Sequence, residues 1–380
     1  MNKSINAVLK PSSKSKIEEL ESIRGIAAFE VFYGHIPAWN PILHNADNIG
    51  AAASMVDLFF VLSGFVIYTA YAEKLTSLKE VFRFQFLRFG RLYPVHLIFL
   101  FFFLAVEIIK YVLQVKYGVS APNNQAFTDS GWQAFFENLL LIQVLSFDGN
   151  QLSFNGPSWS ISVEFYMYLL FGFIVRYLGK LKIFIFALIP IISILVLANL
   201  SVDNTQHLSY VFIFRCLAGF SIGCCTAYAA NILNYKISSV YVTLTVACML
   251  IFYVFKGDGA ENGVLFFLLC SLLIFSIVSS EEGVIKRILR LNILTWFGTI
   301  SYTLYMSHMA MIWIVNQFLR FVLKKPENVI NGFSTPDLSV NESLIAAIVL
   351  ILMVLIVSHL TYSFVEHPLR MKSRKIAAGF

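Results

Sequence analysis

Arg24 and His35 stand eleven residues apart on one apolar stretch. In a helix that spacing is about three turns, so both side chains share a face, roughly 16 Å apart along the axis. A guanidinium pairs with phosphate oxygens through its planar fork. An imidazole titrates near neutrality and can take a proton from a hydroxyl. Three more ionisable groups, Asp57, Glu164 and His308, sit inside other apolar stretches. Such residues are rare in membrane-like segments and mark pathways or reaction centres. Arg88 and Arg91 are three residues apart just before Pro94. They share a helical face and suit a phosphate-bearing ligand, the alternative being plain adherence to the positive-inside rule.

The elements that must hold these groups are membrane helices. The chain has 380 residues, 58% hydrophobic and 13% charged, with mean hydropathy +0.73. A soluble domain is about 25% charged. The expected fold class is all-α, a polytopic integral membrane protein of about ten transmembrane helices with both termini cytoplasmic. Apolar windows place the spans near 23–42, 52–72, 95–116, 158–178, 182–200, 207–230, 237–255, 262–280, 295–319 and 342–364. A cytoplasmic tail (1–22) precedes the transmembrane domain (23–369), and a second tail (370–380) follows it. The basic, amphipathic segment 76–94 is expected to lie at the surface. The 118–157 connection is the longest, with an interfacial helix over 132–146. Twenty Lys and Arg fall on the cytoplasmic side of this arrangement and four outside: Lys256, Arg320, Lys324 and Lys325. That bias sets the orientation. The first stretch lacks a small-x-small cleavage site and reads as a retained span.

The net charge of +6 follows this topology and does not form one patch, which argues against a nucleic-acid partner. Cys216, Cys224, Cys225, Cys248 and Cys270 all lie in apolar segments, with no CxxC pair and no zinc pattern. They read as buried small hydrophobes, and no metal is expected.

Orientation gives each polar residue a depth. His35, Asp57, Glu164 and His308 all fall in the outer half of the bilayer, within about two helical turns of one level. Two imidazoles and two carboxylates then converge on one polar chamber. Asp57 has Arg215 as a candidate partner, because an isolated charge at that depth is costly. Gly219 and Gly223 read as close helix packing. Ser301, Tyr305 and His308 share a face at i, i+4, i+7 and could line the chamber. Glu366 with Pro368 reads as a structural anchor, and Ser160 and Ser162 as helix capping after Pro157.

Several of these runs resemble the acyltransferase-3 family, membrane O-acyltransferases of bacterial surface-glycan modification. They are Arg24-Gly25-Ile26-Ala27-Ala28 ending at His35, and Asp57-Leu58-Phe59-Phe60-Val61-Leu62-Ser63-Gly64-Phe65. The Arg88/Arg91/Tyr93-Pro94 run and Ser158-Trp159-Ser160-Ile161-Ser162-Val163-Glu164 follow. Ile300-Ser301-Tyr302 with Tyr305 and His308, then Glu366-His367-Pro368, close the chain. The resemblance implies a ten-helix enzyme of the bacterial inner membrane that moves an acyl group, usually acetyl, from cytoplasmic acyl-CoA to a carbohydrate hydroxyl. It ties activity to Arg24 and His35, to Arg88 and Arg91, and to Glu164. Glu21 stands where the family commonly has Asp, and Glu30 is an unexpected acid inside the first span. No hydrolase-like domain follows residue 380, so an accessory carrier is expected to be a separate protein.

Such a reaction needs a base and a stabilised oxyanion. His35 is the expected base, with Glu164, or else Asp57, orienting it; the alternative is a packed histidine satisfied by a backbone carbonyl. Arg24 would hold the phosphates of acetyl-CoA or steer its thioester carbonyl, and Arg88 and Arg91 would grip its phosphates. Trp159, Arg215, Ser301, Tyr305 and His308 are candidate substrate-binding residues. Expected partners are acyl-CoA, a carbohydrate acceptor and membrane lipid. The acceptor is open among lipopolysaccharide O-antigen, capsule, exopolysaccharide, a periplasmic glucan and a small glycoside. A transporter or flippase of a glycan also fits ten spans with buried charges, but no paired halves with broken helices are evident.

Overall fold

The computed structural model describes residues 17–44, 46–119, 122–146, 150–200, 208–233, 235–255, 262–330 and 332–379. The fold is mostly helical. In chain order the α-helices are α1 (Glu18–Gly34), α2 (Ala46–Tyr71), α3 (Leu78–Tyr117), α4 (Trp132–Leu139), α5 (Trp159–Leu178), α6 (Lys182–Asn199) and α7 (Leu208–Ile232). They continue with α8 (Val240–Phe255), α9 (Asn262–Ser279), α10 (Val284–Leu289), α11 (Asn292–Gln317), α12 (Val340–Thr361) and α13 (His367–Ala377). Each of the ten apolar windows holds a helix. Among the described residues, five helical stretches are long and apolar enough to cross a membrane: Ala53–Tyr71, Leu78–Tyr117, Gly156–Asn199, Leu208–Ile232 and Val340–Ala377. The third of these contains both α5 and α6, joined at Gly179, whose φ of +50° is reached at little cost without a Cβ.

Three details differ from the sequence expectation. Helix α1 starts at Glu18, inside the assigned tail, and stops at Gly34 rather than running to residue 42. Pro37 and Pro41 remove backbone donors and disfavour helical conformation in the residues before them. Asn40 then organises a turn, accepting from the Ile42 and Leu43 N–H groups at 3.1 and 2.9 Å and donating to the Ser343 carbonyl at 3.0 Å. Segment 76–94 is continuous with the span assigned to 95–116, because α3 runs unbroken through Pro94 from a Ser77/Glu80 capping box. Neighbouring α5 and α13 pack along α3, which is how a membrane helix tolerates a proline. Finally, the fold is not purely helical: strands β1 (Glu327–Ile330) and β2 (Phe333–Pro336) form an antiparallel hairpin between α11 and α12, with Glu327 opposite Pro336.

The hairpin region also accounts for two of the basic residues on the sparsely charged side. Arg320 pairs with Glu327 at 2.8 Å, and Lys325 with Glu342 at 2.5 Å. The Glu342 carboxylate also accepts from the Ser339 backbone and hydroxyl at 3.0 Å in the capping box that starts α12. Lys256 and the lysines of residues 1–16 lie outside the described residues.

Glycines let the central helices touch. Helix α2 packs most extensively on α7, and α1 on α11. A Cβ on Gly64 would strike the Phe220 carbonyl, and one on Gly223 the Val61 carbonyl. Gly25 and Gly298 face each other in the same way across α1 and α11. Small residues replace hydrophobic drive as the means of helix association in lipid. Gly223→Leu should therefore prevent assembly, since it collides with backbone and exceeds the roughly 1–3 kcal/mol of ordinary overpacking. Fluorescence-detected size exclusion should show loss of the monodisperse peak, whereas a substitution at exposed Leu195 should leave it intact.

Candidate functional site

Helices α1, α2, α3, α5 and α11 enclose a cavity of about 70 Å³. Arg24 enters from α1, Arg88 and Arg91 from α3, and Glu164 from α5, with Ser301 and Tyr305 from α11. The three arginines expected to bind the donor are therefore together, and Glu164 joins them rather than His35.

The arginines are held but not saturated. Arg24 donates to Glu21 at 3.2 Å. The Arg88 guanidinium lies over the rings of Tyr71, Phe84 and Tyr168 at 5.5, 5.6 and 5.9 Å and donates to the Tyr71 hydroxyl at 3.4 Å. Cation–π contact of this kind fixes the plane of a guanidinium while leaving its N–H edge free. The Nε of Arg88 and of Arg91 is buried with no hydrogen-bond partner among the described residues. Unsatisfied buried donors call for an explanation, and an anionic ligand is one. Below them, Glu366 is 2% exposed, accepts from Arg370 at 3.4 Å, and feels Arg91, Arg370 and Arg24 as its main cationic neighbours. Its carboxyl group, read from sequence as a structural anchor, adds a countercharge to the arginine cluster.

On the carboxylate wall, Glu164 accepts from the Tyr168 hydroxyl at 2.6 Å, and that hydroxyl lies 2.8 Å from Ser63 Oγ. Tyr168 was not singled out in the sequence; its place one turn after Glu164 was the available signal. The Tyr305 hydroxyl donates to the Pro157 carbonyl at 2.9 Å and lies 2.9 Å from Ser160 Oγ. Ser160 and Ser162 do not cap α5, as their hydroxyls donate to the carbonyls of Pro157 and Leu141 at 3.1 and 2.6 Å.

The expected convergence of His35, Asp57, Glu164 and His308 divides into three places. Asp57 pairs with Arg215 at 2.9 Å, and the guanidinium also donates to the Ala53 carbonyl at 2.7 Å. Trp159 does not line the cavity. It stacks on Phe212 with centroids 4.0 Å apart and lies under Arg215 at 5.5 Å. Trp159 and Arg215 thus belong to the packing around Asp57. His35 contacts neither carboxylate by hydrogen bond; its ring sits 5.1 Å from that of His308, whose other neighbours are Phe32 at 6.4 Å and Tyr305 at 6.1 Å. His308 is fully buried and Tyr305 lines the cavity, so this chain of rings leads from the cavity to His35. Glu30 is half-buried on α1.

The backbone settles the imidazole tautomers. His35 Nδ1 lies 2.7 Å from the Val31 carbonyl, and His308 Nδ1 lies 3.3 Å from that of Leu304. A carbonyl only accepts, so each Nδ1 carries the proton and each neutral ring keeps its lone pair on Nε2. His308 Nε2 is buried without a hydrogen-bond partner among the described residues. The orienting group for His35 is thus a carbonyl of its own helix. Among the described residues no cluster of His, Cys, Asp or Glu could hold a metal ion.

The family model Acyl_transf_3, described as an acyltransferase domain, matches residues 17–362. The chain belongs to the acyltransferase-3 family. Acyltransferase MdmB of Streptomyces mycarofaciens is 30% identical over 183 residues, covering 46% of this chain and 43% of the relative. Peptidoglycan O-acetyltransferase OatA of Listeria monocytogenes is 24% identical over 388 residues, covering 94% of this chain and 56% of the relative. The chain spans about half the length of the curated relatives it matches. No solved structure matches it. For this acyltransferase-3 chain, the matched region contains the cavity arginines, Glu164 and both ring-paired histidines.

Proposed function

We propose that the protein is a membrane O-acyltransferase that moves an acyl group, acetyl by preference, from cytoplasmic acyl-CoA to a carbohydrate hydroxyl on the outer side of the bacterial inner membrane. The carrying observation is the cavity that gathers Arg24, Arg88 and Arg91 with two guanidinium Nε atoms unpartnered. Anchored, unsaturated guanidiniums suit the phosphates of CoA. A cavity of about 70 Å³ is too small for the nucleotide, which would stay at the mouth, and large enough for a short acyl thioester.

In this reading the pantetheine arm passes Tyr305 and His308 toward His35. His35 Nε2 takes the acceptor's hydroxyl proton as the oxygen attacks the thioester carbonyl. The tetrahedral oxyanion collapses, the C–S bond breaks, and the CoA sulfur leaves with the proton returned through the imidazole. Nothing covalent need form on the protein. Arg24 steers the thioester end, and Glu164, fixed by Tyr168, orders the cavity. The Asp57–Arg215 pair, assigned above to packing, holds α2 against α7.

CoA should raise the melting temperature of the purified protein, and Arg88→Ala/Arg91→Ala should abolish that shift while leaving the ligand-free melting temperature within a few degrees. An undiminished shift in the double variant removes the arginine cavity as the donor site.

A further inference from the structure

A second, larger groove of about 430 Å³ lies at the other end of α3 and α11, lined by Lys110, Asn123, Asn124, Trp313, Asn316 and Gln317 among others. It is distant from the arginine cavity. Arg91 and Leu113 are separated by about 33 Å along α3, and Ser301 and Trp313 by about 18 Å along α11. His308 lies between Ser301 and Trp313 on that helix.

The chemistry of this groove differs from that of the cavity. Its cations are neutralised: Lys110 pairs with Glu107 at 2.8 Å, and Arg320 with Glu327 at 2.8 Å. Its remaining polar groups are uncharged amides and an indole; Asn123 is paired with the Ser334 backbone and Asn124 with Asp129, whereas the α11 groups are partly unused. Gln317 makes no side-chain hydrogen bond among the described residues, and neither do the Trp313 Nε1–H and the Asn316 amide nitrogen. An amide offers donors and acceptors together, matching hydroxyls, which do the same. An indole gives a flat apolar face beside a polar edge. Neutralised cations, the unused donors of Gln317 and Asn316 and a half-buried indole lining the groove describe a site for a neutral polyhydroxyl ligand, not for an anion.

The groove is also tied to the histidine pair. Asn316 Oδ1 accepts from Trp39 Nε1 at 2.8 Å, and Trp39 lies four residues beyond His35 in the turn that ends α1. A ligand held by Asn316 is therefore braced against the segment that carries the base.

We infer that this groove binds a neutral carbohydrate and presents it to His35 as the acceptor. Its role as acceptor site rests on the acyl-transfer reading; its preference for neutral carbohydrate rests on the groove alone. The test is equilibrium binding of radiolabelled N-acetylchitotriose, maltotriose and glucose 1-phosphate to the full chain in lipid nanodiscs, with no acyl donor present. At least one neutral oligosaccharide should bind, better than the sugar phosphate. Its affinity should fall at least tenfold in Trp313→Ala and severalfold in Gln317→Ala, with the thermal shift given by CoA unchanged in both. Gln317→Ala guards the test, because Trp313 also packs on Phe102 and its loss could disturb folding. The inference is overturned if neither neutral sugar binds, if glucose 1-phosphate binds better, if phosphatidylglycerol displaces the bound sugar, or if both variants bind like the parent. Sugar binding that passes these tests in a protein unable to transfer acetyl upholds the groove and sinks the acyl-transfer reading instead.

Discussion

His35→Ala should lower acyl transfer by about 10²–10⁴-fold, the range typical of removing a general base, without weakening CoA binding. The separation follows from geometry, since His35 is absent from the cavity wall that carries the three arginines. It also follows from the tautomer: with Nδ1–H committed to Val31, only Nε2 is basic toward substrate. His35→Gln keeps a donor for the Val31 carbonyl but offers no group of comparable basicity, so it should be nearly as inactive as alanine. His308→Gln should show a smaller loss, because its ring buttresses His35 at 5.1 Å and lines the way from Tyr305. Turnover of labelled acetyl-CoA by purified variants, measured beside their CoA-induced thermal shifts, separates chemistry from binding. Equal loss of CoA binding and turnover in His35→Ala would place the histidine in the donor site and reverse this assignment.

Asp57→Ala should destabilise the fold by about 3–5 kcal/mol, the usual penalty for stranding one member of a buried ion pair. Arg215 would remain between Trp159 and the Ala53 carbonyl with no countercharge on its Nε. The side chains are only 17% and 8% exposed, so solvent offers little compensation. Replacing both partners, as in Asp57→Leu/Arg215→Met, should recover most of the stability, because a packed apolar pair is often as good as a buried salt bridge. Melting temperatures of the three proteins in detergent decide the point. If the double variant recovers stability and also turns over normally, Asp57 has no catalytic part.

Much of this fold was legible because lipid imposes a simple code. Long apolar windows had to be helices, and a helix stands in each of them. The Asp57–Arg215 pair was legible for the same reason, since a lone charge in such a segment demands a partner. Depth along helices was a poorer guide to contact. It placed Glu164 and His35 in one layer, but the direction in which each side chain leaves its helix decided the outcome, and Glu164 turns to the arginines. The end of α1 was misread because hydropathy continued past Gly34, while Pro37 and Pro41 carried the stop signal. Segment 76–94 was read as a surface element apart from the 95–116 span because Pro94 divides them, yet α3 is continuous through it; Arg88 and Arg91, assigned to a phosphate-bearing ligand, line an interior cavity. The electrostatic coupling of Glu366 to Arg91 joins residues 275 positions apart, and no spacing rule reaches that far.

The central claim is that a donor gathered by arginines on one side of the membrane is delivered to an acceptor beside His35 on the other. The direct measurement uses proteoliposomes with the protein in one orientation, [acetyl-¹⁴C]CoA supplied only on the arginine side and N-acetylchitotriose only on the opposite side. The expected result is base-labile label on the sugar, retained CoA on its own side, and no label with His35→Ala. Sugar crossing the bilayer without acetyl-CoA consumption, or label appearing only when donor and sugar share a side, would contradict it.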